Sequence, residues 1–345
     1  MVENIFQESI NIFFSGPWEV FLKRIEALRP WQLLSLFIIS SLLMIWRLGA
    51  MENKGIEGTV LGALVMPYCS GLSNLVFALV LAGSGRNGSL VLENCLVNNV
   101  TNLTLIMGLS AVFCRMDIFT GKKFDKDLKK EDKTNRLNYL SLLLTLIAAF
   151  FFTGVVWALA RDGNLNFFDG LVLVGLFLFW QVFHVVEVLK SNVRHGKFLT
   201  WTMAMDLIVI AGSAYGMYIS IEGLVGWVST AGTGFFIFER LGWLSGWLMV
   251  LPNSLLAIYY NWKKRPDIVY SSQVGDGHIC IPLCIGLFAL FSEIQAPSFL
   301  ELGVIMILGS TLVHFLCVAV FGRIPKPIGF AFVGAYCFFV FKGLG

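Results

Sequence analysis

The chain is a succession of apolar runs, each long enough to cross a bilayer and set off from the next by a short polar stretch. A helix needs roughly 20 apolar residues to cross the hydrocarbon. On that measure the pattern predicts ten spans, over 31–49, 56–83, 89–114, 136–160, 167–190, 199–221, 229–262, 268–292, 298–321 and 325–343. The seventh run is long and carries Glu239, Arg240 and Pro252, which predicts a short helix followed by a broken one. Residues 1–30 differ: Phe13, Phe14, Trp18, Phe21 and Leu22 lie close to Lys23, Arg24 and Arg29. This is the pattern of an amphipathic interfacial segment. A cleaved signal peptide would carry its basic residues before its apolar core.

Composition fits a chain whose solvent is the lipid bilayer. Of its residues 57% are hydrophobic and 14% charged, against about a quarter charged in soluble domains. The net charge of +3 gives no reason to expect nucleic acid. Eighteen Lys and Arg fall on one side of the predicted spans and six on the other. By the positive-inside rule this predicts a multi-pass protein of the plasma (inner) membrane with both termini outside the cytoplasm. Residues 115–135 then form a short cytoplasmic connector. The seven cysteines lie in apolar runs without CxxC or zinc spacing. Cys280 and Cys284 can share a helix face, but as small buried hydrophobes.

An internal repeat carries the functional argument. Residues 64–68 read Leu-Val-Met-Pro-Tyr and 249–253 read Met-Val-Leu-Pro-Asn, each in a glycine-rich apolar helix. Each is followed by a polar turn and then by an unusually polar helix. The first such helix carries Glu93-Asn94-Cys95-Leu96-Val97-Asn98-Asn99-Val100-Thr101-Asn102, and the second carries Ser271-Ser272-Gln273-Val274-Gly275-Asp276-Gly277-His278. The turn with Arg86 lies outside and the turn with Lys263 to Arg265 inside, so the repeats are inverted. The fold class read from this is an all-α integral membrane protein of about ten transmembrane helices in two inverted five-helix repeats, 31–190 and 191–345. Inverted repeats are the architecture of alternating access around a midplane site. Pro67 and Pro252 each remove a backbone donor and disrupt the helix locally. Asn98 and Asn102, four apart, share a face. One buried Asn is explained by interhelical hydrogen bonding, but matched polar clusters in both halves point to a cavity.

These residues resemble the calcium/cation antiporter superfamily of sodium/calcium exchangers. Its repeats carry Gly-Thr-Ser-x-Pro-Glu on one helix and Gly-Asn-x-x-Gly-Ser-Asn-x-x-Asn/Asp on the next. Pro67 and Pro252 match the proline, and Asn94, Asn99 and Asn102 match the asparagines, with Asn98 at the serine. In the second half Gly275 matches the glycine, Asp276 the serine and Cys280 the terminal acid. The chain departs where the family's cation-ligating glutamates stand, since Tyr68 and Asn253 occupy those positions. The resemblance implies a secondary cation antiporter working by alternating access with an altered ion site. Tyr68, Asn94, Asn98, Asn102, Asn253 and Asp276 are the expected binding residues, with Glu93 nearer the outer end. Calcium prefers six to eight oxygen ligands with several carboxylates, so a monovalent cation, a proton or a small organic substrate fits this pocket as well.

His184 and Glu187, three apart in the fifth span, and Asp206 in the sixth are a candidate proton path, together with His278 and His314. An interfacial pairing of Glu187 with Lys190 explains the first two equally well. HxxE alone does not define a metal site, so the metal stays unassigned. No nucleotide-binding glycine loop or nucleophile elbow is present. No enzyme activity or cofactor is expected beyond transported sodium, proton or calcium. The alternative is a non-transporting receptor, scaffold or complex subunit that keeps the fold, which leaves room for a protein partner.

Overall fold

The structure is a computed structural model. It describes residues 28–53, 66–83, 87–114, 116–118, 131–193 and 201–344. Most of the segment 1–30 and of the connector 115–135 lies outside the described residues. Ten long helices follow in order: α1 (Pro30–Asn53), α2 (Met66–Gly83), α3 (Ser89–Phe113), α4 (Glu131–Leu159), α5 (Phe167–Val193), α6 (Trp201–Ala231), α7 (Leu241–Trp262), α8 (Pro266–His278, continued by Ile279–Cys284 and Ile285–Ala289), α9 (Leu300–Phe321) and α10 (Lys326–Leu344). Among the described residues, seven of these helices are long and apolar enough to cross a membrane. The protein is an all-α, multi-pass membrane protein.

Two expectations about the helices are corrected. The run 229–262 is divided as expected, but its first part is not a short helix of its own: α6 continues to Ala231 and α7 begins at Leu241, after a turn at Phe238–Arg240. Residues 221–231 are helical in spite of Glu222, Ser229 and Thr230, so the polar positions there do not mark the boundary. The chain turns instead at Gly232-Thr233-Gly234, where Gly234 takes φ 64°. The expected break at Pro252 is also absent: α7 runs helically through it. The backbone irregularities lie in α3 and α8.

The two halves pack as inverted copies. Strand β1 (Asn164–Leu165), between α4 and α5, pairs antiparallel with β2 (Ile294–Gln295), between α8 and α9. At the opposite end, Asp117, between α3 and α4, bridges Arg323, between α9 and α10. Exchanging α1–α5 for α6–α10 turns one pairing into the other. The helix contacts obey the same exchange: α3 packs on α7 as α8 does on α2, and α10 on the end of α3 as α5 does on the end of α8. Glycine makes the last two crossings close. A Cβ on Gly108 would sit 2.8 Å from the Gly329 carbonyl, and one on Gly170 would sit 2.8 Å from the Gly286 carbonyl. Helix packing in lipid depends on such small-residue contacts. The matched helices α4 and α9 both stop at left-handed glycines, Gly163 (φ 95°) and Gly322 (φ 62°).

Helices α2, α3, α7 and α8 are innermost. Within the bundle 78% of the α3 span is buried, against 17% of α10, and Phe330, Phe338 and Phe341 of α10 face outward. In lipid such a surface matches its solvent, whereas in water it would be a contiguous apolar patch.

Histidine ties the polar helices to their neighbours. His278 Nδ1 accepts from the Trp180 indole N–H at 3.1 Å, while Nε2 lies 2.9 Å from the Thr145 carbonyl. An indole only donates and a carbonyl only accepts, so the ring is the neutral Nε2–H tautomer. His278→Leu strands both partners, and each buried group left unpaired costs about 1–3 kcal/mol. Thermal unfolding in detergent is expected to show that loss, with a lowered midpoint.

Candidate functional site in the helix core

Both polar helices widen into a π turn, at Thr101–Ile106 in α3 and at Ile279–Cys284 in α8. Asn98 and Asp276, the matched motif positions, each stand three residues before their turn. Local chemistry accounts for both turns. In α8, Pro282 lacks the N–H that an α-helix needs there. In α3, the Thr101 hydroxyl donates to the Val97 carbonyl at 2.6 Å and the Thr104 hydroxyl to the Val100 carbonyl, in competition with the main-chain ladder. The Leu103 carbonyl, within the turn, accepts from His314 Nε2 of α9 at 2.8 Å. Such turns often occur where helices carry function.

Asp276 is the centre of the buried network. Its Oδ2 accepts from Asn102 Nδ2 of α3 at 2.7 Å and from Asn253 Nδ2 of α7 at 3.0 Å. Asn102 Nδ2 also lies 2.9 Å from Asn98 Oδ1, and Asn98 Nδ2 donates to Cys280 Sγ at 3.5 Å. Because a carboxylate accepts only, it fixes both amides with their nitrogens inward. Their oxygens, Asn102 Oδ1 and Asn253 Oδ1, have no hydrogen-bond partner. All four side chains are fully buried. Gln273, one helical turn before Asp276, donates to the Asn253 carbonyl at 3.1 Å and to Ser272 Oγ at 3.2 Å, and its Oε1 is unpartnered. Three helices thus bring a carboxylate and several amides into one region. Among the described residues no three His, Cys, Asp or Glu side chains form a metal site, so charge here comes mainly from one acid.

The other predicted residues are placed as follows. Asn94 is fully buried one turn outward of Asn98 and donates to Ser245 Oγ of α7 at 3.0 Å. Pro67 and Tyr68 lie in the first turn of α2 as described, with Tyr68's side chain outside the described part. The side chains of His184 and Glu187 lie outside it as well. Asp206 stands apart from the network, buried near the start of α6 and 3.4 Å from Arg47 Nη1 of α1. His278 faces Trp180 and Thr145, and His314 faces Leu103. The fully buried thiols of Cys95, Cys280 and Cys284 stand within hydrogen-bonding reach of one another beside Asn98.

Gln273 stood out in the sequence only as part of the polar stretch of α8, and Ser245 and Asn74 did not stand out at all. Asn74, on the face of α2 that sets Gly71 against Ile279, is fully buried with neither side-chain atom bonded. Its signal was an amide beside Ser73 in a mainly apolar helix, but no matched residue in the second half drew attention to it.

Residues 27–186 match the family described as Sodium/calcium exchanger protein. No curated protein matches. Solved structures of the sodium-calcium exchanger NCX_Mj share the fold. With the form soaked in zero Na+ and Ca2+ the identity is 18% and the TM-score 0.61, over 92% of this chain and 99% of that one. With the form soaked in 10 mM Na+ and zero Ca2+ the identity is 17% and the TM-score 0.62, over the same shares of the two chains. Residues 27–186 are thus similar to the sodium/calcium exchanger family, and nearly the whole chain shares the exchanger fold.

Proposed function

We propose that the protein is a secondary cation antiporter with an altered ion site, in which a monovalent cation, sodium or a proton, is carried on Asp276. The observation that carries this reading is the Asp276 carboxylate held by amides of α3 and α7 at 2.7 and 3.0 Å, so that one acid joins helices of both halves. The amides are neutral donors that orient the carboxylate and bring no positive charge of their own. One negative charge balances one monovalent cation. Calcium would leave a net positive charge in a low-dielectric interior, where an uncompensated charge costs several kcal/mol. Movement of the half 31–190 against the half 191–345 would expose Asp276 to each side in turn. In this reading both termini lie outside the cytoplasm of a plasma membrane.

The test is reconstitution in sealed liposomes with imposed sodium, proton and calcium gradients. The reading expects sodium- or proton-driven exchange and little calcium movement, and absence of flux in folded protein would favour a non-transporting role. Cys280→Asp adds a second carboxylate at the position matching the family's acid. It is expected to improve calcium binding at least tenfold over the unaltered chain in isothermal titration.

A further inference from the structure

We infer a second, outer cation-binding site, at the crossing of α3 and α7, built from Glu93, Asn94 and Ser245 and suited to a hard, oxygen-seeking cation. It rests on the proposed function only for its role as an access step, because its binding can be measured apart from transport.

The row of amides on α3 runs outward at four-residue spacing from Asn102 through Asn98 to Asn94. Asn94 Nδ2 donates to Ser245 Oγ at 3.0 Å, and Ser245 Oγ donates to the Gly242 carbonyl at 3.0 Å. Asn94 is fully buried, and its Oδ1 has no hydrogen-bond partner. Beside it, Glu93 accepts from Ser89, and its buried Oε2 has no hydrogen-bond partner. Glu93 Oε2 lies against Gly242 of α7, and the Asn94 amide bonds Ser245 about one turn along the same helix. Gly242 leaves room for the Glu93 side chain, against which a Cβ would collide. Gly246 lets α7 approach Val97, where a Cβ would sit 2.8 Å from the Val97 Cβ.

Buried acceptors left without donors call for a physical reason, and a cation supplies one for both at once. The donors are a carboxylate, an amide oxygen and a hydroxyl, all hard ligands and none sulfur, so the ligand class is a hard metal cation. The site is distinct from the centre. Asn98 lies between them on α3, and its amide nitrogen is engaged with Cys280.

Terbium(III), a hard-cation probe whose emission is sensitised by nearby indoles, suits this site because Trp243 and Trp247 border Ser245 in the sequence. The full chain in detergent would be titrated with terbium, then competed with calcium, sodium and choline. Glu93→Gln is expected to weaken terbium binding on the order of tenfold or more. Gly242→Ala, which adds a methyl group where the Glu93 side chain lies, is expected to weaken it comparably while keeping the helix. Asp276→Asn is expected to leave the outer terbium affinity within about twofold, even if it abolishes flux. Unchanged terbium binding in both Glu93→Gln and Gly242→Ala would overturn the inference, as would its complete loss in Asp276→Asn. Equal competition by choline would overturn the assignment to a metal cation.

Discussion

Replacing Asp276 with asparagine is expected to abolish gradient-driven cation flux while the protein stays folded. The substitution keeps the side-chain shape, and the replacement amide oxygen can still accept from Asn102 and Asn253, which now reach Oδ2 at 2.7 and 3.0 Å. What disappears is the charge that would hold the cation. A loss of at least about 100-fold in initial rate corresponds to about 2.7 kcal/mol. Proteoliposome uptake with matched protein content measures it, and near-native circular dichroism and thermal unfolding are the folding control. Flux within about threefold of the unaltered protein would remove Asp276 from the centre of the mechanism.

The second large effect concerns stability. Gly108→Val and Gly286→Val fill the two matched crossings, where Gly108 meets the Gly329 carbonyl and Gly286 meets Leu173 and Val174. A Cβ at Gly286 would already lie 2.9 Å from the Leu173 Cβ, so the added branches have to push backbone apart. Overpacking of this kind costs about 1–3 kcal/mol and sometimes more. Both variants are expected to unfold earlier on heating in detergent, and by similar amounts, since inversion makes their surroundings equivalent. Gly154→Ala is the control. Nothing lies within 4 Å of a Cβ there, and removing a glycine from a helix interior favours the fold by roughly 0.5–1 kcal/mol. If Gly154→Ala destabilised as much as the crossing variants, the crossings would not be special.

Most of the architecture was legible because lipid imposes a simple rule: backbone polar groups must be satisfied within the helix, so apolar runs of spanning length are helices. The ten spans, the repeated proline and the ladder Asn94, Asn98, Asn102 all follow from spacing. The boundary between α6 and α7 was not legible, since hydropathy reports the solvent and not where a helix stops. The π turns were hidden for another reason. Pro282 marks one, but the other arises from Thr101 and Thr104 turning back on their own helix and from His314 reaching across from α9, which takes three dimensions to see. For the same reason Gln273 read as one polar residue among several. Only its bond to the Asn253 carbonyl links it to the Asp276 network. Asp206 was legible as a buried acid but not as the partner of Arg47, which lies 159 residues away in sequence.

The most direct test of the account is sodium-22 uptake into proteoliposomes against an imposed outward sodium or proton gradient, with the unaltered protein and Asp276→Asn side by side. The account predicts gradient-dependent accumulation by the unaltered protein, abolished in the variant. Equal accumulation by both, or none by folded unaltered protein under either gradient, would contradict it.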